Sequence, residues 1–357
     1  MNRTEGCAFP LLTHPTIPAT LVLLLLSLAG CSKKSEWSAI GVEGQTMGTT
    51  YSVKVAVQPD EFSESFLDLR NGIEEVLEDV NSKMSTYDTG SELSRFNIHD
   101  STGPFSLSPE TMAVVRAAAE LFEQTGGAFD PTVGPLVDLW GFGPTKREQA
   151  PPPQDQIEAI RKTVGMDLLV VGAGNTLAKK NPALRIDLSG IAKGFGVDQV
   201  AEHLSRKGYD HFMVEIGGEV RASGVNQRRR PWNIGIDRPT GEITRSGFSS
   251  ILGLSDKALA TSGDYRNYFE HEGLRYTHIL DPSTGRPVPK SIGSVSVVAS
   301  TCMRADGAAT AIMVMGATRG LEWATRQDDL EALLLVRGEE NDFTEKMTPG
   351  MKSYLSR

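Results

Sequence analysis

Apolar positions along this chain follow two periods. Phe66, Leu69, Ile73, Val76, Leu77, Val80 and Met84 recur at three- and four-residue steps, which predicts an amphipathic helix ending near Ser85. Residues 41–57 alternate instead, which predicts strand interrupted by a turn at Gly48. Ser108-Pro109-Glu110 places a capping hydroxyl before a Pro at the first helical position, and the helix it starts stops at Gly126-Gly127. A Gly- and Pro-rich loop, 129–153, holds Trp140, and a short helix is predicted over 156–164. Two apolar runs, 168–171 and 176–179, flank Gly172-Ala173-Gly174-Asn175, the signature of a hairpin. A strand is predicted at 183–188, then a small-residue turn at Ser189-Gly190, then a helix over 191–207. Further strands are predicted at 211–216, 219–225, 232–236, 250–254, 276–280 and 294–298. An Ala-rich helix at 302–315 and a closing strand at 331–336 complete the pattern. Many strands adjoin through short turns. The expected class is therefore α+β, a single mixed α/β domain with mixed and antiparallel sheet.

The first 31 residues break this pattern. Leu21-Val22-Leu23-Leu24-Leu25-Leu26 is an apolar core too short to span a bilayer comfortably, and it ends in small residues as an export signal does. Leu28-Ala29-Gly30-Cys31 resembles the lipobox of bacterial lipoproteins. That resemblance implies cleavage before Cys31, lipidation of Cys31, and a tether through Ser32-Lys33-Lys34-Ser35-Glu36. The expected organisation is a signal peptide at 1–30, a lipidated tether at 31–40, a folded domain at 41–340 and a tail at 341–357.

Composition narrows the function. Among 357 residues, Lys and Arg number 36 against 45 Asp and Glu, giving a net charge of −9. The one basic run, Arg228-Arg229-Arg230, is short, so nucleic acid is not an expected partner. With Cys7 removed and Cys31 lipidated, Cys302 has no disulfide partner and reads as a buried small residue.

Two acidic motifs carry candidate chemistry. In Arg185-Ile186-Asp187-Leu188-Ser189-Gly190-Ile191-Ala192-Lys193-Gly194, a tight turn delivers Lys193 into the first turn of a helix, where backbone N–H groups suit phosphate. In Ala305-Asp306-Gly307-Ala308-Ala309-Thr310, Asp306 and Thr310 stand four apart on one helix face. A carboxylate and a hydroxyl suit a hard cation such as Mg²⁺, although an Asp early in a helix also serves as a plain cap. His278, just before Asp281-Pro282, is either a proton acceptor or a structural residue. Tyr87 either stacks on a planar ring or packs on the helix it follows. Ala128-Phe129-Asp130-Pro131 either closes over a ligand or is a capped helix exit. Glu215-Ile216-Gly217-Gly218-Glu219 reads as a tight hairpin. Zinc spacing, a serine-hydrolase elbow, a Walker A loop and a Rossmann fingerprint are all absent from the sequence.

Together these motifs resemble the ApbE family of FAD:protein FMN transferases. The pieces occur in the family's order: Met47-Gly48-Thr49, Ser85-Thr86-Tyr87, Ala128-Phe129-Asp130-Pro131, the Asp187 to Gly194 run, Glu215-Ile216-Gly217-Gly218, Thr261-Ser262-Gly263-Asp264-Tyr265, Thr277-His278-Ile279-Leu280-Asp281-Pro282, and Asp306 with Thr310. The resemblance implies a T-fold-like domain, FAD as substrate and Mg²⁺ as cofactor. It implies transfer of FMN to a Thr or Ser hydroxyl of an acceptor flavoprotein, such as a membrane redox-pump subunit, with release of AMP. Carried over by motif, Gly190 (through its carbonyl), Asp306 and Thr310 would bind Mg²⁺. Met47, Tyr87, Ala128, Phe129, Asp130, Asp187, Lys193, Ile279 and Leu280 would hold FAD, and His278 would be the base. Many members are envelope lipoproteins, which implies a chain anchored through its lipid and facing the periplasm. Gly307-Ala308 and Phe195 depart from the residues common at those places. The alternatives are an FAD pyrophosphatase that releases FMN and AMP, and a flavin-binding lipoprotein without turnover.

Overall fold

The computed structural model describes residues 37–58, 65–145, 147, 149–239, 248–265, 267–339 and 342–356. The expected signal peptide, Cys31 and tether residues 31–36 lie outside them. Glu36–Arg357 forms one compact unit. Among the described residues, no helix is long and apolar enough to cross a membrane.

Eight strands form the main sheet, and they lie in it in chain order: β1 (Ser38–Thr46), β2 (Thr49–Val57), β3 (Phe212–Ile216), β4 (Glu219–Ser223), β5 (Lys257–Gly263), β6 (Ile292–Ala299), β7 (Glu331–Arg337) and β8 (Phe343–Met347). Every neighbouring pair is antiparallel. The expected tether gives way to sheet at Ser38, which stands opposite Val57. Beyond 340, the expected tail supplies β8 and the buried Met351.

Among the described residues, eight α-helices accompany the sheet: α1 (Phe66–Met84), α2 (Glu92–Ile98), α3 (Pro109–Thr125), α4 (Gly134–Leu139), α5 (Gln154–Arg161), α6 (Ala192–Arg206), α7 (Cys302–Met315) and α8 (Ala317–Thr325). The predicted cap holds: Ser108 Oγ accepts from Thr111 N at 3.2 Å, and Gly126 ends α3 in the left-handed conformation at φ 61°. Helix α7 is apolar nearly all round because it packs against α6, α3, α8 and the sheet together. Val295, Val297 and Ala299 of β6 face the helices, whereas Val298 joins Val220, Leu259 and Leu333 on the other face. There a two-stranded ribbon, Trp232–Asp237 with Phe248–Leu254, covers them.

Residues 183–188 are not a strand. Leu184, Ile186 and Leu188 are buried in strict alternation, but no neighbouring strand pairs with them. The Asn97 carboxamide takes that place: it accepts from Ile186 N and donates to Ile186 O, each at 2.8 Å. Asp187 N donates to Pro131 O at 2.7 Å. The predicted strand 276–280 is likewise divided, into Leu274–Thr277 and Leu280–Asp281, with His278 at the break.

Candidate functional site

The site lies where α6 meets α7. Each helix carries a carboxylate that serves the other's backbone. Asp198 of α6 accepts from Cys302 N and Met303 N, both at 2.9 Å, which are the first free N–H groups of α7. Asp306 of α7 accepts from Gly194 N at 3.0 Å, in the first turn of α6. The helices approach so closely that a Cβ on Gly194 would stand 2.4 Å from Cys302 O. Glycine is therefore required after Lys193 by contact.

Lys193 bridges two buried acids. Its Nζ stands 3.2 Å from Glu219 Oε1 and 3.8 Å from Asp306 Oδ1. Glu219 is 3% exposed and Asp306 2%. Burial opposes the Lys193 charge, but Asp306 and Glu219 outweigh it and hold its pKa above the ordinary lysine value. Burial pushes the Glu219 carboxyl up to about 7, with Lys193 opposing and Asp306 adding to the rise.

Thr310 stands one turn beyond Asp306 on α7, and its Oγ1 lies 3.3 Å from Ser262 Oγ of β5. Gly190 sits against it: a Cβ there would come within 3.3 Å of both Thr310 Oγ1 and the Phe129 ring. Asp306 and Thr310, one turn apart on α7, offer only oxygens, with a single carboxylate, and the Gly190 backbone packs against Thr310. That chemistry fits a hard divalent cation that keeps waters and phosphate oxygens for its remaining positions. Among the described residues, no cluster of three His, Cys, Asp or Glu offers a competing metal site.

His278 Nδ1 lies 2.9 Å from Asn267 O. A carbonyl only accepts, so Nδ1 carries the proton and Nε2 of the neutral ring is left with a lone pair. Burial lowers the His278 pKa below its ordinary value, and the Lys193 charge adds to this against the Asn267 bond and Asp187. Tyr87 is 69% exposed, with its hydroxyl 3.3 Å from Phe142 O. Partial burial and the charges of Asp187 and Asp138 raise its pKa.

The remaining expected contacts frame this centre. Met47, in a left-handed turn at φ 50°, packs on Gly196 of α6. Phe129 is buried, and Phe129 N donates to Thr125 Oγ1 beyond the half-buried Ala128. The Asp130 carboxylate turns inward to Thr132 N and Oγ1, at 2.8 and 2.6 Å, so it shapes the loop. Ile279 and Leu280 are buried, and the Ile279 carbonyl accepts from Val288 N. Asp187 accepts from Ser189 N at 2.8 Å and fixes the turn into Gly190. Cys302 is buried with its thiol pKa pushed well up by burial, as a packing residue requires.

Three participants were not assigned from sequence: Glu219, Ser262 and Asp198. Glu219 and Ser262 lie inside quoted motifs, but the Gly-Gly hairpin already accounted for the first. Gly307 finds a packing reason, since a Cβ there would stand 2.6 Å from Leu121 Cδ2 of α3.

An antiparallel α+β fold that sets a carboxylate and a hydroxyl beside a lysine ammonium, with a histidine in its neutral form, is suited to phosphate-ester chemistry. The ApbE family model matches residues 47–334, and the chain belongs to that family. It is 46% identical over 333 residues to the FAD:protein FMN transferase of Vibrio cholerae, covering 93% of this chain and 97% of that one. It is 42% identical over 335 residues to the enzyme of the same name from Haemophilus influenzae, covering 93% and 95%. The solved structure of the flavin transferase ApbE from Vibrio cholerae superposes with a TM-score of 0.82 at 44% identity, over 89% of this chain and all (100%) of that one. The ApbE protein of Thermotoga maritima gives 0.80 at 29% identity, over 90% and 100%.

Proposed function

We propose that this chain is an FAD:protein FMN transferase. Its acceptor is a Thr or Ser hydroxyl of a flavoprotein, the linkage is a phosphoester, and AMP is released. The placing of Lys193 beside Asp306, with Thr310 one turn on and Gly190 packed against it, in a chain of the ApbE family, supports this reading. Asp306, Thr310 and the Gly190 carbonyl would hold Mg²⁺, which when bound supplies positive charge to the pyrophosphate oxygens of FAD. Lys193 adds a second positive charge beside them. Tyr87 covers the flavin, and Asp187 and Met47 line its path. His278 Nε2 takes the proton from the acceptor hydroxyl, whose oxygen bonds to the flavin-side phosphorus. The bond from that phosphorus to the bridging oxygen breaks, and the oxygen leaves with AMP. A hydroxyl is a poor nucleophile at neutral pH, so a base held in one tautomer and an ordered acceptor both lower the barrier.

AMP release from FAD, followed with and without an acceptor domain, tests this function. AMP formed only with acceptor and Mg²⁺ supports transfer. Equal release without acceptor indicates a pyrophosphatase, and intact FAD indicates a flavin-binding protein. We further propose, from the Leu28–Cys31 lipobox, that the chain works as a lipid-anchored protein of the bacterial envelope facing the periplasm, near membrane-bound acceptors.

A further inference from the structure

Glu219 is a buried acid that the reaction above does not use. It opens β4, opposite Ile216, directly after the Gly217-Gly218 turn. Its Oε1 meets Lys193 Nζ at 3.2 Å, and its Oε2 is buried with no hydrogen-bond partner among the described residues. A carboxylate oxygen left in that state is costly unless another state of the site uses it. On its other side Lys193 stands 3.8 Å from Asp306 Oδ1, beyond a good hydrogen bond yet close enough to compete for that carboxylate.

Asp306 therefore faces two suitors, the Lys193 ammonium and the divalent cation proposed above. Both cannot sit on one carboxylate without strong like-charge repulsion. We infer that Glu219 is the alternative seat for Lys193: when a divalent cation takes Asp306, the ammonium withdraws onto both oxygens of Glu219. Lys193 and the cation then occupy the site together, with the ammonium held toward the substrate phosphates. Glu219 is a positioning residue in this arrangement, acting through Lys193 and touching neither FAD nor the cation. The inference rests on cation binding at Asp306.

Calorimetric titration of the full-length chain with MgCl₂ alone, without FAD or acceptor, tests it. Glu219→Gln keeps the shape and removes the charge, so Lys193 shifts from residue 219 toward Asp306, and Mg²⁺ affinity falls about tenfold. With Lys193→Met also present, the competitor is gone and the same Gln substitution costs less than about threefold. An equal or larger loss in the Lys193→Met background would show Glu219 acting on the cation directly and would overturn the inference. So would no loss in either background. Lys193→Met alone should tighten Mg²⁺ binding, and this stands as the test if the Gln variant does not fold; unchanged or weaker binding contradicts the competition. Failure of Mg²⁺ to bind the wild-type chain would instead remove the cation site itself.

Discussion

Gly194 N donates to Asp306 Oδ2 at 3.0 Å, joining residues 112 apart in sequence. This bond fixes one carboxylate oxygen and sets the other beside Lys193 and one helical turn from Thr310. The first turn of α6 thus aims the acid of α7, and Asp198 returns the arrangement at the start of α7. The site's geometry is set by helix-to-helix backbone contacts, which are stiffer than a loop.

Asp306→Ala removes the only carboxylate of the proposed cation set. Loss of charge stabilisation worth several kcal/mol predicts a fall in FMN transfer of at least roughly a thousandfold. Binding of FAD, read by flavin fluorescence, should persist in part. Undiminished Mg²⁺-dependent transfer by this variant would remove Asp306 from the site.

Gly194→Ala places a methyl group 2.4 Å from Cys302 O. Backbone lies on the far side, so the helices must separate, at a cost of about 1–3 kcal/mol. Urea denaturation should show that loss together with reduced transfer; a variant as stable and active as the wild type would contradict the close approach.

His278→Ala should lose transfer while keeping its fold, as judged by circular dichroism. The wild-type profile gives the sign. Burial first, then Lys193, lowers the His278 pKa, so the ring stays neutral and basic at neutral pH. Activity is retained as pH falls through the ordinary histidine value near 6.5 and declines only below the depressed pKa. A rate versus pH series with an acid limb above 6.5 would contradict this assignment.

Asn97→Ala deletes the carboxamide that satisfies both Ile186 backbone groups. Each unpaired group costs about 1–3 kcal/mol, and the Asp187 segment loosens with it. Denaturant unfolding should register the loss, and KM for FAD should rise more than kcat falls. Unchanged stability would mean that water replaces the clamp without penalty.

Much of this was written locally in the chain. Periodicity marked α1, a cap marked α3, alanine content marked α7, and the turn at Gly48 marked the first hairpin. Strand β5 escaped because Ala258, Leu259 and Ala260 are buried on both faces, which erases alternation. The 183–188 segment misled in the opposite way: its alternation is real, but its pairing partner is the Asn97 side chain. Helices α2 and α4, of seven and six residues, were too short to stand out from loops, and α8 follows α7 across Gly316 with no side-chain cap to mark its start. In the site, Lys193, Asp306 and Thr310 stood in recognisable patterns. The place of Glu219 beside Lys193 depends on how β4 lies against α6, which no local pattern encodes.

Mass spectrometry of an acceptor domain after incubation with this chain, FAD and Mg²⁺ tests the central claim most directly. The account predicts that a Thr or Ser of the acceptor gains FMN less one water. AMP should appear in equal amount, and EDTA or Asp306→Ala should abolish both. Free FMN and AMP with every tested acceptor unlabelled would contradict it.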